Sequence, residues 1–298
     1  MKINDSAATQ LVPESAPNPE EPPKYVLQHS EQELRRLETQ GSFLRAATHD
    51  FLQRTGVAKG MRVLDIGCGV GDVSFLAAEM VGPSGEVVGV DRAEPAISTA
   101  LMRARAKGLA NVRFLQCDIN EMGGLAAEGL FDAVICRLVI IHQKKPVETI
   151  KNVLRRVRPG GVVGFQEIDL DARYWSTRRM ETLEQLYDCL DQVTARNGMA
   201  VNLSAAFVEA FDEAGVVQRR IIRSGAVESA SEMGVYEWLG SFTKTLTKAV
   251  AAMGLQPPDF GDFAKRLKDE AASTGAVFIP VHFIGAAGHL PHLRVAGS

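Results

Sequence analysis

A doubly wound α/β fold is what this sequence predicts, and three observations predict it. Short runs rich in Val and Ile alternate with stretches whose apolar residues recur at helical spacing, the pattern of a parallel sheet wrapped by helices. The first run leads into glycine at every second position, Gly67, Gly69 and Gly71, which allows a sharp strand-to-helix turn with no Cβ between backbone and ligand. Later runs end in acids, Asp91, Asp118 and Glu167, at the edge where such sheets bind ligands.

Taken in order, the first strand begins at Val63 and carries Asp65 just before the turn. Asp72 is expected to cap the helix that follows, VSFLAAEMV, whose first amides face whatever lies against the loop. The dinucleotide fingerprint is G-x-G-x-x-G, but here the third glycine comes one position early and Asp72 holds the fingerprint position. A carboxylate there opposes a pyrophosphate. With Asp65 it favours a ligand carrying an ammonium and a sulfonium. The second strand, EVVGVD, ends in Asp91, whose carboxylate can accept both hydroxyls of a ribose. The third, NVRFLQCDI, brings Asp118 to accept from the exocyclic amine of a purine. The fourth is read from Phe131 to His142, and the fifth, GGVVGFQEIDL, follows a turn at Arg158 to Gly161. PAISTALMRARAKG and PVETIKNVLRRV supply intervening helices, and VQRRIIRSGAVES reads as a sixth strand.

These elements, over about residues 57 to 170, resemble the class I S-adenosylmethionine-dependent methyltransferases, in particular the small-molecule branch related to ubiquinone and menaquinone biosynthesis C-methyltransferases. The resemblance implies a Rossmann-like seven-stranded sheet whose last strand is antiparallel, with AVFIPVHFIGAAG as the candidate. It implies S-adenosylmethionine as cofactor and S-adenosylhomocysteine as product. The loop from Gly67 through Cys68 and Gly69 to Gly71 would meet the methionine part, Asp91 the ribose, and Asp118 with Ile119 the adenine, with Asp65 and Arg92 also among the cofactor-binding residues. Cys136 and Arg137 would lie under the cofactor. An N-terminal helical segment, residues 25–55, would fold over the site as a lid, with Tyr25 and Gln40 as candidate contacts. Two helices separated near Gly41 and Ser42 are expected there, with Ser30 and Glu33 as a capping box.

Composition fits this reading. With 298 residues, 46% of them hydrophobic, the chain buries a sizeable core, and a net charge of -3 gives no footprint for nucleic acid. The N/D-P-P-Y/F signature of base-modifying methyltransferases is replaced by ICRLVII. Cys68, Cys117, Cys136 and Cys189 have neither metal nor disulfide spacing and read as packing residues in a reducing compartment. The first residues lack an apolar core and no apolar run is long enough to span a bilayer, so a cytoplasmic protein is expected. Residues 1–24 read as a disordered tail, and 56–298 as the methyltransferase domain with cap insertions at about 171–200 and 229–275. His289 and His292 are isolated and Asp169 with Asp171 fall short of a metal cluster, so no metal is expected.

The cap segments concentrate Tyr174, Trp175, Tyr236, Trp238 and Phe242, which points to an apolar pocket above the strand ends and a small apolar or aromatic acceptor. The methylated atom stays open between oxygen, nitrogen and carbon, an isoprenoid carbon included, and so does a homo-oligomer. Where the acceptor must lose a proton, His142 and Glu167 are the candidate bases at the ends of the fourth and fifth strands. The alternatives are structural: a helix cap for His142 and a hydrogen bond for Glu167. Outside the transferases stand a nicotinamide-dependent oxidoreductase, which Asp72 disfavours, and a cofactor-binding protein without catalysis.

Overall fold

The computed structural model describes residues 31–197, 202–231 and 234–292. The expected tail, Tyr25 and Ser30 lie outside them. A seven-stranded sheet runs in the order β3-β2-β1-β4-β5-β9-β7, built from β1 (Arg62–Ile66), β2 (Glu86–Asp91), β3 (Val112–Gln116), β4 (Phe131–Arg137), β5 (Val157–Ile168), β7 (Val217–Ser224) and β9 (Phe283–His289). The last of these in the chain runs antiparallel to both neighbours, and the others are parallel. The expected final strand is split: β8 (Phe278–Ile279) pairs with β6 (Trp175–Ser176) in a separate ribbon, and the chain joins the main sheet only after Pro280. The fourth strand is shorter than its apolar run predicts. It stops at Arg137, Leu138 turns to φ +58, and Ile140–His142 form a 3-10 turn.

Alternation along β1 distributes the core. Leu64 and Ile66 face α4 (Pro146–Leu154) and α6 (Leu203–Glu213), while Val63 joins Phe51, Leu52, Leu76 and Ala77 on the other face. That second face is covered by α2 (Asp72–Val81) and by the C-terminal half of α1 (Glu31–Thr55), with α3 (Glu94–Ala106) beside them. A further apolar cluster joins α5 (Glu181–Asn197), α7 (Gly234–Ala252) and α8 (Phe263–Thr274) to Leu44 of α1. These helices stand above the carboxyl ends of the strands. Among the described residues no helix is long and apolar enough to cross a membrane.

α1 is one helix through Gly41, where a break between two helices was expected. A Cβ at Gly41 would stand 2.2 Å from the Asp72 carboxyl carbon, so the missing side chain is what lets α1 cross the glycine-rich turn. Its first half roofs the strand ends and its second half belongs to the main core. Asp72 does not cap α2 either. The cap position is Gly71, and the Asp72 carboxylate instead accepts from Arg103 at 2.8 Å.

Gly41→Ala sets two effects against each other. Helix propensity favours alanine by about 1 kcal/mol, whereas displacing a carboxylate pinned by Arg103 costs roughly 1–3 kcal/mol. The substitution is expected to lower the melting temperature in the parent and to raise it in an Asp72→Ala background. A single variant at least as stable as the parent would show that α1 stands clear of Asp72.

Candidate functional site

The end of β1 turns through Gly67 at φ +67, Gly69 at φ +52 and Gly71 at φ +93, a backbone that side chains disfavour. Asp91, at the end of β2, holds this turn. Its Oδ2 accepts from the Gly69 amide at 3.0 Å and its Oδ1 from the Ala93 amide at 2.9 Å, leaving each oxygen a further lone pair. Asp118, just past β3, accepts from the Asn120 amide at 2.8 Å and stands beside Ile119. One continuous cavity joins these groups to the cap. Gly67, Cys68, Gly69, Asp91, Arg92, Asp118 and Ile119 line one end, Gln40, Arg137 and His142 the middle, and Trp238 and Phe242 the apolar end.

Four expected site residues fall elsewhere. Asp65 is 1% exposed, takes the Ser74 hydroxyl at 2.5 Å, and is raised by burial to about 6; it lies behind the turn, off the cavity wall. Gly71 serves packing, since a Cβ there would stand 2.7 Å from the Phe75 ring. Cys136 is fully buried among core residues of the sheet. Burial raises the thiols of all four cysteines, which fits their reading as packing residues.

Glu167 is the most consequential correction. Its side chain is wholly buried and off the cavity wall. Oε1 accepts from the Val139 amide at 2.9 Å and the Ile140 amide at 2.7 Å, so the carboxyl anchors the loop after β4 and cannot reach an acceptor. Burial drives its pKa up to about 8 despite those amides. His142, carried by the loop that Glu167 anchors, does reach the cavity. Burial and the positive charges of Arg36 and Arg92 push it down to about 4, so it stands neutral at physiological pH. Asp169 is buried in an ion pair with Arg223, and Asp171 is exposed.

The expected aromatic pocket is partly realised. Trp238 and Phe242 line the cavity; Tyr174, Trp175 and Tyr236 do not, Trp175 being 49% exposed. Trp238 stacks on Phe43 of α1 at 4.8 Å, which joins lid to cap. Sequence reasoning missed Tyr187, Leu190 and Val193 of α5, and Arg36 and Leu37 of α1. Arg36 is gripped by Glu33 and donates to Gln40 Oε1 at 2.7 Å, so one helical face holds the polar roof at i, i+3 and i+7.

A sheet of this order, with a glycine-rich turn after its first strand and acids after its second and third, has the form of a nucleoside-binding α/β domain. Comparison with known proteins makes the class definite. A family model described as methyltransferase domain matches residues 58–215. The chain belongs to this family, the class I S-adenosylmethionine-dependent methyltransferases. It is 33% identical over 112 residues to a demethylmenaquinone methyltransferase of Lactococcus lactis, a match covering 38% of this chain and 44% of that protein. It is 32% identical over 117 residues to a ubiquinone biosynthesis O-methyltransferase of Acinetobacter baylyi, covering 39% and 48%. The match thus spans about half the length of these curated relatives. The fold is shared with phosphoethanolamine N-methyltransferase 2 of Haemonchus contortus, solved with S-adenosyl-L-methionine: TM-score 0.52 at 17% identity, over 83% of this chain and 53% of that one.

The buried carboxyl of Glu167 gives stability a pH dependence of definite sign. Folded, it keeps its proton to about pH 8; an ordinary glutamate releases it near 4.5, so the folded state binds more protons in between and stability falls as pH rises. Asp65 acts in the same direction only between 3.8 and about 6, and His142 in the opposite direction between about 4 and 6.5. From pH 6.5 to 8 Glu167 dominates, and what remains of the Asp65 and His142 titrations is shared by the parent and Glu167→Gln. Over that window the parent should lose about 1.5 kcal/mol more stability than Glu167→Gln, read from denaturant melts at each pH. Parallel curves would mean that the carboxyl ionises freely.

Proposed function

We propose that this chain binds S-adenosylmethionine across the glycine-rich turn and the ends of β2 and β3, and methylates a small apolar or aromatic metabolite held under the helical cap. The observation that supports this most is the continuity of the cavity from Asp91 and Asp118 to an apolar end walled by Leu186, Leu190, Trp238, Phe242 and Leu246. The residues fit the cofactor: Asp91 faces the cavity with lone pairs to spare for a ribose, Asp118 and Ile119 offer a polar and an apolar edge to adenine, and Gln40 closes the site from α1. When bound, the cofactor supplies an electrophilic methyl on a good leaving group.

The protein's part is then positioning. The apolar end is walled by aliphatic and aromatic side chains and favours a neutral acceptor. His142 lines the middle of the cavity as a neutral imidazole, and with a pKa near 4 it is a weak general base. Such a site suits an acceptor that parts with its proton readily, or a carbon acceptor, better than an alkyl alcohol. The curated relatives bear the names of quinone-biosynthesis methyltransferases, and an aromatic ring of that kind fits the pocket's chemistry.

Two experiments test this. Reactions with isotopically labelled methyl donor and a metabolite extract, read by mass spectrometry, should yield a labelled apolar product. Cofactor binding with no transfer to any metabolite would favour a non-catalytic binding protein. In calorimetric titrations with S-adenosylhomocysteine, Asp91→Ala should lose roughly 2–4 kcal/mol, the scale of charge-assisted hydrogen bonds and two orphaned amides. Asp91→Asn should lose less because it keeps an acceptor for Gly69, and Asp118→Ala less still. Parent-like affinity in Asp91→Ala would remove β2 from the site.

A further inference from the structure

Arg137 ends β4 with its side chain in the cavity wall, and among the described residues it forms no ion pair. Among the described residues its one hydrogen bond runs from Nη1 to the Thr48 hydroxyl at 2.9 Å, a neutral partner. Thr48 donates onward to Gln166 Oε1 at 3.3 Å, so two uncharged side chains, from α1 and β5, fix the guanidinium in place. Three carboxyl groups lie near enough to act on it through space, Asp72, Asp65 and Glu167, yet among the described residues none forms an ion pair with it. Asp72 is engaged by Arg103, Asp65 by Ser74, and Glu167 through Oε1 by the amides of Val139 and Ile140, while its Oε2 has no hydrogen-bond partner among the described residues. Burial lowers the Arg137 pKa, the expected response of a cation withdrawn from water.

Such a cation is expensive to keep without a counter-ion. The other guanidinium groups of the cavity differ from it. Arg36 is met by the Glu33 carboxylate, and Arg92 is an exposed residue. A guanidinium offers five N–H donors in a planar fork, and the fork matches two oxygens of one carboxylate. Resting on the reading of this cavity as the S-adenosylmethionine site, we propose that Arg137 is the anchor for the carboxylate of the cofactor's methionine arm. The cofactor has no other anionic group. On this assignment the ligand completes an ion pair for a cation that the protein has already partly withdrawn from water, so affinity depends on the carboxylate and on the planar fork as well as on charge.

The test separates the carboxylate from the nucleoside. S-adenosylhomocysteine, its decarboxylated analogue and 5'-methylthioadenosine are titrated calorimetrically into the parent chain, Arg137→Gln and Arg137→Lys. The parent should prefer S-adenosylhomocysteine to the decarboxylated analogue by roughly 30-fold, the order of a lost charge-assisted pair. Arg137→Gln should lose about that factor for S-adenosylhomocysteine while binding the other two ligands as the parent does, which also shows that it is folded. Arg137→Lys should recover only part of the preference. Equal losses of all three ligands in Arg137→Gln would overturn the assignment, making Arg137 a structural residue. So would an unchanged preference for S-adenosylhomocysteine, which would leave Arg137 to an acceptor carboxylate. A parent that binds none of the three would overturn the cofactor reading itself, and the proposal with it.

Discussion

The reversal of strand order between β1 and β4 is the constraint from which the site follows. Crossovers that leave these two neighbours run to opposite faces of the sheet, so their carboxyl ends part and leave a crevice that no connection covers. The glycine-rich turn, Asp91, Asp118 and Arg137 all stand on that edge. What closes the crevice must come from outside the βα repeats, and α1 and the cap helices do so. The approach of α1 is limited by the turn itself. At Gly41 the Asp72 carboxylate leaves room only for a hydrogen, and the polar roof of Gln40 and Arg36 lies immediately before that contact on α1.

The same edge is crowded with carboxyl groups, and most of them maintain the architecture. Asp65 steadies α2 through Ser74, Asp72 ties the turn to α3 through Arg103, and Asp91 gathers the amides of Gly69 and Ala93. Glu167 does the equivalent work for the loop after β4. There Leu138 is held at φ +58, a conformation that costs a branched residue of order 1–3 kcal/mol and persists only where the surroundings impose it. The Leu138 amide donates to Gln166 while its two successors donate to Glu167, so β5 dictates the path that carries His142 into the cavity.

Much of this was legible in the sequence because strand runs, helical spacing and a glycine-rich turn are local signals. Asp91 and Asp118 were legible for the same reason: they follow their strands directly, where parallel strands deliver residues to the ligand edge. The errors have a common physical origin in contacts between distant segments. Gly41 looks like a helix break until Asp72 is placed against it. VIIH has strand composition, and only the anchor at Glu167 turns it into a loop. An acid at the end of a buried strand carries one local signal whether it faces a substrate or caps a neighbouring loop, and the choice lies in which side of the pleat faces the cavity. Arg36 and Leu37 needed an unbroken α1 to be seen on one face with Gln40.

With Glu167 turned away and His142 nearly non-basic, the proposed reaction relies on placement rather than proton transfer, and the magnitudes allow it. Fixing two reactants in line is worth about 7–11 kcal/mol of barrier, whereas a well-matched general base contributes a factor of about a hundred to ten thousand, or roughly 3–5 kcal/mol. A site that forgoes the smaller effect keeps most of the acceleration, provided that the acceptor and the cofactor are both held rigidly. The stacking of Trp238 on Phe43 supplies that rigidity where it matters, because it joins the cap that walls the apolar end to the same helix that carries Gln40 over the other. Closing α1 over the cofactor end therefore also sets one wall of the acceptor end, and the two halves of the cavity are shaped together.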